Sequence, residues 1–289
     1  MNLKAPKGTA KILKLLWRLK AGTVGMIIVA SMVTIAVFAP YIAPHDPYDQ
    51  KITRRLQPPV WDPKGTWEFP LGTDLMGRDI LTRLIYGARV SLLAGILAVL
   101  VASTLGCSLG LISGYYGGRV DTLIYNMVNI MMAFPFMLLA LAAIAVLGPN
   151  FRNLIIVLGI TGWPLYARVV RTQTLNLKKM EYVIAARALG MKDLRIMLGH
   201  VFPNLLNSII VLGSLEIAYN ILRESFLSFL GLGIQPPIPS WGGMLGEGRT
   251  HMLMRWWLAA FPGLAIFVTT LGINLLGDGL RDLLDPHSR

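Results

Sequence analysis

The hydrophobic residues of this chain are gathered into long runs, and polar segments separate the runs. Five stretches contain no Asp, Glu, Lys or Arg: 21–45, 90–118, 122–151, 196–215 and 256–277. A helix needs about 20 mostly apolar residues to cross the hydrocarbon core of a bilayer, and each stretch is long enough. The pattern therefore predicts an all-α membrane protein that crosses the bilayer several times.

The runs and their bounding residues predict six membrane spans, at roughly 22–43, 90–112, 126–147, 153–175, 205–230 and 257–280. Pro135 lies inside the third span, where we expect a kink. Residues 44–88 are polar and rich in proline, which predicts an ordered extramembrane loop. The chain accordingly divides into an N-terminal arm (1–21), a first span with its loop (22–89), a core (90–280) with a polar helical segment at 176–203, and a C-terminal tail (281–289).

Composition and charge agree with a membrane location. Only 15% of the residues are charged, whereas a soluble domain carries about a quarter. The net charge of +12 is typical of Lys and Arg retained on the cytoplasmic side, and we do not expect nucleic acid as a partner. The N-terminal arm is basic without any acid, and the apolar run after it is too long for a signal-peptide core. We therefore expect an uncleaved first span and, with six spans, two cytoplasmic termini.

One face of span two consists of small residues that recur at every fourth position: Ala94, Ala98, Ala102, Gly106, Gly110 and Gly114. In a helix these residues form one slowly winding stripe. Helices in lipid associate through close backbone approach and dispersion contacts, so the stripe predicts that another helix packs tightly on it. We favour a helix of the same chain, and a helix of a partner chain is the alternative.

The polar segment before span five predicts a helix–glycine–helix elbow. Glu181 stands early in the first helix, where its charge complements the exposed backbone amides. Alanines favour the helix and leave one face thin, and Gly190 supplies a turn that a Cβ would hinder. A second short helix, about 192–198, leads to Pro203 at the return into the membrane. Such an elbow suits a groove in another protein, and an ordinary polar connector is the alternative.

The elbow resembles the EAA-type cytoplasmic loop of permease subunits in binding-protein-dependent ABC importers. That family pattern is Glu-Ala-Ala, three residues, Gly, nine residues and Ile-x-Leu-Pro, and four residues keep its spacing: Ala185, Ala186, Gly190 and Pro203. The chain departs from the pattern at Ile184, which replaces the Glu, and at His200 and Phe202, which replace aliphatic residues. Two further blocks, 71–92 and 227–242, resemble permeases of the dipeptide, oligopeptide and nickel subfamily.

The resemblance implies a type I ABC importer permease fold, with about six transmembrane helices and cytoplasmic coupling helices. It implies a non-catalytic subunit of a prokaryotic inner membrane that forms half of a pathway for di- or oligopeptides, although relatives of this kind also carry nickel chelates, glycosides or opines. The implied partners are a second permease subunit in a heterodimer, two cytoplasmic ATP-binding subunits, a periplasmic or lipid-anchored binding protein, and membrane lipid. ATP and Mg are used by the partners, and this sequence has no Gly-x4-Gly-Lys-Ser/Thr loop, so we expect no cofactor or metal of its own.

The resemblance and the elbow pattern together assign ATPase coupling to Glu181, Tyr182, Ala185, Ala186, Arg187, Gly190 and Pro203. Span five carries three charges, and ionisable groups at that depth usually face a bundle interior or water. Glu216 and Arg223 are seven residues apart and share a helix face. We therefore expect Glu216, Arg223 and Glu224 to line the translocation pathway. The alternatives are structural pairing with another helix or, for Arg223 and Glu224, a position near the outer interface.

The first loop carries another set of charges, Asp74, Arg78 and Asp79. We expect these residues to face the external binding protein. Helix capping at Asp74 with local ion pairing is the alternative.

Two other classes of protein fit the sequence less well. An ion-coupled secondary transporter should contain inverted repeats with an ion site at the midplane, and the sequence contains no second copy of the elbow or of the small stripe. A membrane-embedded hydrolase needs a nucleophile and a base within the spans. The four histidines all lie in predicted loops or ends, so an enzyme is not expected.

Overall fold

A computed structural model describes residues 20–284, so most of the N-terminal arm and the last five residues lie outside the described range. In chain order the helices are α1 (Lys20–Val37), α2 (Ala39–Ile42), α3 (Ile80–Tyr116), α4 (Gly118–Ala133), α5 (Phe136–Leu147), α6 (Phe151–Leu177), α7 (Glu181–Ala188), α8 (Asp193–Ile196), α9 (Phe202–Phe229), α10 (Trp241–Gly248) and α11 (Trp257–Leu284). Within residues 20–284 the structure contains no β-strand, only an isolated bridge between Thr73 and Asp79.

Five of the helical segments are long and apolar enough to cross a membrane: α1, α3, α6, the continuous segment Asp193–Phe229 and α11. The pair α4 and α5 is bent by 90° at Phe134 and Pro135, and it makes a sixth span if the pair counts as one. Proline lacks the backbone N–H of a regular helix and its ring clashes with the preceding turn, which explains the position of the break. Helices therefore coincide with all six predicted spans, but the third is a pair of helices at 90° to each other, which is a broken span or a re-entrant loop and not one kinked helix.

The second span begins ten residues earlier than predicted, at Ile80 instead of 90. Asp79 forms the N-cap, because its side chain accepts hydrogen bonds from the backbone N–H groups of Leu81 and Thr82. The helix start expected at Asp74 is therefore wrong, and the first loop ends at Asp79. The predicted start of the second span was too late because Arg83 and Arg89 made residues 80–89 too polar for a span. In the structure Arg83 is buried, and the carboxylates of Asp74 and Glu247 neutralise its charge.

The second helix of the elbow was predicted as a separate element, but it is not separate in the structure. The short α8 continues through a π-helical turn, Met197–Val201, directly into α9. Pro203 is the second residue of α9, directly after the π-helical turn, and because it has no N–H one hydrogen bond is missing from the continuous helix at this point. The sequence also did not indicate α10, a glycine-rich helix whose N-cap Ser240 accepts a hydrogen bond from the N–H of Gly243 at 3.1 Å.

The small stripe of the second span faces α6 of the same chain, and this pair forms the most extensive helix–helix contact. A Cβ atom on Gly110 would lie 2.5 Å from the carbonyl oxygen of Ala167, and one on Gly114 would lie 2.8 Å from that of Arg171. Such distances leave room for hydrogen only, so the backbones approach as closely as the small residues allow. At the other side of the bundle, α1 packs on α11 through Gly25 and Gly272 in the same way.

Candidate functional site

The elbow is a short helix followed by a left-handed glycine. Glu181 is the first residue of α7, and the helix ends at Ala188. Gly190 has φ +76°, and nothing lies within 4 Å of the position that a Cβ would take. Glycine is therefore favoured here by the left-handed backbone conformation and not by a lack of space for a side chain. A hydrogen bond of 3.1 Å from the N–H of Met191 to the carbonyl of Ala186 closes the turn.

One face of the elbow is buried against the ends of the membrane helices, and the other is exposed. Val183 and Ala186 belong to a core cluster with Tyr115 of α3 and Val201. Ala185 points away from this cluster, so the two alanines of the motif lie on different faces. The exposed face carries large apolar side chains: Tyr182, Ile184, Leu189 and Leu194. Leu189 is the most open of these, with 85% of its surface accessible.

Polar contacts tie the elbow to the end of α3. The Tyr115 hydroxyl donates to Asp193 Oδ1 at 2.7 Å, and the Arg187 guanidinium lies 5.3 Å from the centre of the Tyr115 ring. The adjacent Tyr115 hydroxyl raises the pKa of Arg187, so this residue stays charged. Lys178 Nζ donates to the carbonyl of Gly114 at 2.8 Å, at the C-terminus of α3, where a cation is favourable. The elbow is thus attached to α3 by directional contacts.

An ion pair links the same region to α4 and α6. Arg171 of α6 donates through Nε and Nη2 to the two carboxylate oxygens of Asp121 in α4, at 2.5 and 2.7 Å. Ser113 of α3 donates to the same carboxylate. The sequence analysis missed this junction, and its only local signal was a lone acid beside a Gly-Gly pair.

A cavity of about 380 Å³ lies where the bend between α4 and α5 meets α6 and α9. Residues at the bend and Pro164 of α6 contribute to its wall, together with Glu216 and Arg223. Arg223 Nη1 donates to Glu216 Oε2 at 2.9 Å, and the guanidinium carbon lies 4.3 Å from the centre of the Phe136 ring. Non-helical backbone at membrane depth is tolerated where it is buried or lines a water-filled cavity. Glu216 and Arg223 therefore pair with each other along one face of α9, whereas the structural alternative had expected pairing with another helix.

Glu224 lies apart from this pair, although it is adjacent to Arg223 in sequence. Its side chain has no accessible surface and accepts a hydrogen bond of 2.7 Å from the Ser228 hydroxyl and one of 3.3 Å from that of Ser225. Adjacent residues on a helix point about 100° apart, so Glu224 faces the interior of the bundle. The prediction that Glu224 lines the pathway is therefore not supported by its position.

The charges of the first loop are buried in a four-charge cluster, which consists of Asp74, Arg78, Arg83 and Glu247. Asp74 Oδ2 accepts from Arg78 Nε at 2.7 Å and also from Arg83 Nη1. Glu247 Oε2 accepts from Arg78 Nη2 and from Arg83 Nη1, both at 2.7 Å. Asp74, Arg78 and Arg83 are each at most 5% exposed. The cluster joins the loop, α3 and α10 through alternating charges.

This burial corrects the prediction for the first loop. Asp74 and Arg78 are enclosed in the cluster, and Asp79 is 3% exposed because it caps α3 and contacts His45 Nδ1 at 3.2 Å. None of the three side chains is available as a direct contact for another protein. The sequence analysis missed Glu247, which is 169 residues from Arg78 and whose only signal was a single acid in a glycine-rich stretch.

Comparison with known proteins places this architecture among membrane transport proteins. Residues 106–289 match the family described as binding-protein-dependent transport system inner membrane component, and residues 10–59 match the N-terminal TM domain of oligopeptide transport permease C. The chain is 44% identical over 270 residues to the dipeptide transport system permease protein DppC of Alkalihalophilus pseudofirmus, covering 93% of this chain and 87% of the relative.

Two other relatives carry different names. The di/tripeptide transport system permease protein DppC of Pseudomonas aeruginosa is 43% identical over 262 residues, which cover 91% of this chain and 86% of the relative. The glutathione transport system permease protein GsiD of Pectobacterium atrosepticum is 43% identical over 255 residues, which cover 88% and 83% of the two chains. The similarity therefore extends over almost the whole chain.

Proposed function

The chain belongs to the family of binding-protein-dependent transport system inner membrane components, and from this membership we propose how its parts work. It is a multi-pass permease subunit of an ATP-driven importer of the inner membrane. ATPase and substrate-binding components are its partners. An ion-coupled secondary transporter is not favoured, since the relatives are permeases of binding-protein-dependent systems.

The elbow is the segment that we assign to coupling with an ATPase subunit. This assignment rests on the difference between the two faces of the elbow. One face is anchored to the core through Val183, Ala186 and Tyr115, whereas Tyr182, Ile184 and Leu189 are exposed on a polar segment between two spans. An exposed apolar surface of this kind on an anchored element is typical of a protein–protein contact. Motion of the ATPase would then pass to α3 through Tyr115 and to α9 through the continuous helix.

The cavity at the bend is our candidate for the translocation pathway. Glu216 and Arg223 place charge in a wall that is otherwise mainly apolar, and residues of the break, Phe134 and Pro135, line the same space. ATP binding by the partner subunits would favour one of two packings of these helices, which is how a nucleotide can drive the change without touching this chain. The chain itself performs no covalent chemistry in this scheme and needs no cofactor or metal, because ATP and Mg act in the partner subunits.

Di- or oligopeptides are the substrates that we propose. The names of the relatives refer to dipeptides, di- or tripeptides and glutathione, which share a peptide backbone and a free carboxylate. A second permease subunit would complete the pathway as a heterodimer, and a periplasmic or lipid-anchored binding protein would deliver the substrate. Both termini, and with them the elbow, would face the cytoplasm, as the basic N-terminal arm favours.

Two exposed leucines at opposite ends of the bundle test both the coupling role and the orientation. Leu189 of the elbow is 85% exposed, and Leu253, in the turn between α10 and α11, is 96% exposed. A Leu189→Glu substitution places a charge in the proposed contact, and we expect at least about a tenfold loss of ATPase subunits that co-purify with the permease. ATP-dependent peptide uptake in proteoliposomes should fall in parallel.

The matched variant Leu253→Glu should retain the ATPase subunits at the wild-type level, because the proposed topology places it on the opposite side of the membrane. Full retention by the Leu189→Glu variant would contradict the coupling role. Loss of the ATPase in the Leu253→Glu variant alone would contradict the proposed orientation.

A further inference from the structure

Arg223 uses only part of its hydrogen-bonding capacity. Nη1 contacts Glu216 Oε2 at 2.9 Å and approaches Asn220 Oδ1 at 3.5 Å. Among residues 20–284, none accepts a hydrogen bond from Nε or Nη2 of this side chain. A guanidinium presents five donors in a planar fork that matches the two oxygens of a carboxylate. One edge of Arg223 is therefore unused in a cavity wall.

The surroundings hold the guanidinium in place, and part of the side chain remains accessible. The ring of Phe136 lies under the guanidinium at 4.3 Å and that of Tyr219 at 5.8 Å, both within the range of a cation–π contact. About a quarter of the Arg223 side chain (23%) is accessible, whereas the Glu216 side chain is 6% accessible. The charge that a ligand can reach in this cavity is thus the positive one.

We propose that Arg223 holds the carboxylate of a peptide during its passage, and that Glu216 neutralises Arg223 while the cavity is empty. This inference rests on the proposed function, because it assumes that the cavity belongs to the peptide pathway. The volume of about 380 Å³ lies within the range of small-molecule sites, about 300–1,000 Å³.

The pairing with Glu216 explains why such a site would not trap its substrate. A buried cation without a partner is strongly unfavourable, so the empty cavity requires a counter-charge on Arg223. A peptide carboxylate adds charge-assisted hydrogen bonds at the free edge while Glu216 keeps Nη1 occupied. The carboxylate of Glu216 also repels the arriving anion, which limits the affinity. Weak binding of this kind is what conduction through a pathway requires.

The first test uses the complete importer in proteoliposomes, with its companion subunits and binding protein and with labelled alanyl-alanine as the probe. The measured quantity is the number of peptides taken up per ATP hydrolysed. We expect Arg223→Gln to lower this ratio about tenfold or more while ATP hydrolysis stays within about twofold of wild type. Arg223→Lys should recover part of the ratio, because it restores the charge without the planar fork. Arg152→Gln, which removes the same charge at an exposed position at the start of α6, should leave the ratio unchanged.

The second test asks whether the carboxylate is the recognised group. The complex is held with its ATPase subunits closed by vanadate, and its retention of alanyl-alanine is compared with that of alanyl-alaninamide. We expect about a tenfold preference for the free carboxylate in wild type and no preference in Arg223→Gln.

The outcomes separate this inference from the proposed function. An unchanged ratio in Arg223→Gln, or equal retention of the two peptides by wild type, would overturn the carboxylate site and leave the importer function intact. Uptake and ATP hydrolysis that fall by the same factor in Arg223→Gln would show a purely structural residue and would also overturn it. If wild type shows no ATP-dependent peptide uptake, the proposed function fails, and this inference fails with it.

Discussion

The two ends of the helical bundle are held by different kinds of contact. At the loop end, which consists of residues 43–79 and α10, the four-charge cluster is buried and its carboxylates and guanidiniums alternate. At the elbow end, α7 is held by the small apolar face of Val183 and Ala186, and α8 is held by single polar contacts such as that from Tyr115 to Asp193. A buried network of several partners tolerates little displacement, whereas a few contacts at a surface can rearrange at low cost. The comparison indicates a rigid loop end and a compliant elbow end.

The loop end and the cavity also show what separates a structural charge from one that is free to bind. Arg83 is 2% exposed and donates to two carboxylates. Arg223 donates to one carboxylate and keeps a free edge. Both are intramolecular ion pairs of short distance, so distance alone does not distinguish them. The two differ in their unused donors. Among residues 20–284, Arg83 leaves only Nε without an acceptor, whereas Arg223 leaves both Nε and Nη2 without one and lies in the wall of the cavity.

The largest effect should follow from breaking the four-charge cluster. Arg83→Met removes the most buried cation and leaves Asp74 and Glu247 with Arg78 alone. Removal of one partner from a buried ion pair costs about 3–5 kcal/mol, because an uncompensated charge remains. We expect a clear fall in the thermal unfolding midpoint of the purified permease complex.

The control for this experiment is Arg89→Gln, at an exposed position about 1.7 turns further along α3, which should leave the midpoint unchanged. A midpoint for Arg83→Met equal to that of wild type would mean that the cluster does not hold the loop end together.

An intermediate effect is expected at the elbow. Gly190→Val forces a β-branched side chain into φ +76°, which costs at least about 1–2 kcal/mol and displaces the turn. We expect ATP-dependent uptake to be abolished while the protein still inserts into the membrane. Gly190→Asn should retain uptake, because asparagine visits the left-handed region and the space around the residue is open. Normal uptake by the valine variant would argue strongly against a coupling role for the elbow.

The smallest effect on stability is expected for a single contact at the same end. Tyr115→Phe removes one hydrogen bond to Asp193, worth about 1 kcal/mol, and keeps the ring that packs with Arg187. The unfolding midpoint should hardly change, whereas the peptide transported per ATP should fall if this contact transmits motion to α3. A fall in the unfolding midpoint as large as that of Arg83→Met would contradict the proposed difference in rigidity between the loop end and the elbow end.

Several features followed from local pattern alone. The spans can be predicted because each must contain about 20 apolar residues. The small stripe can be predicted because residues four apart lie on the same face of a helix. The turn at Gly190 follows from the need for a residue without Cβ, and the shared helix face of Glu216 and Arg223 follows from their spacing of seven residues. All of these depend on residues that are close in the chain.

What only the tertiary structure decided depends on residues that are distant in the chain. Arg78 and Glu247 are 169 residues apart, and no local pattern indicates that they meet. Through the charge cluster around that contact, Asp74 and Arg78 are buried, although a sequence reading placed them on the surface. The bend of 90° at Pro135, the enclosure of Glu224 and the free edge of Arg223 likewise result from how helices pack around one another. Hydrophobic periodicity determines which segments enter the membrane, but the pairing of polar groups inside the bundle is set by contacts between segments.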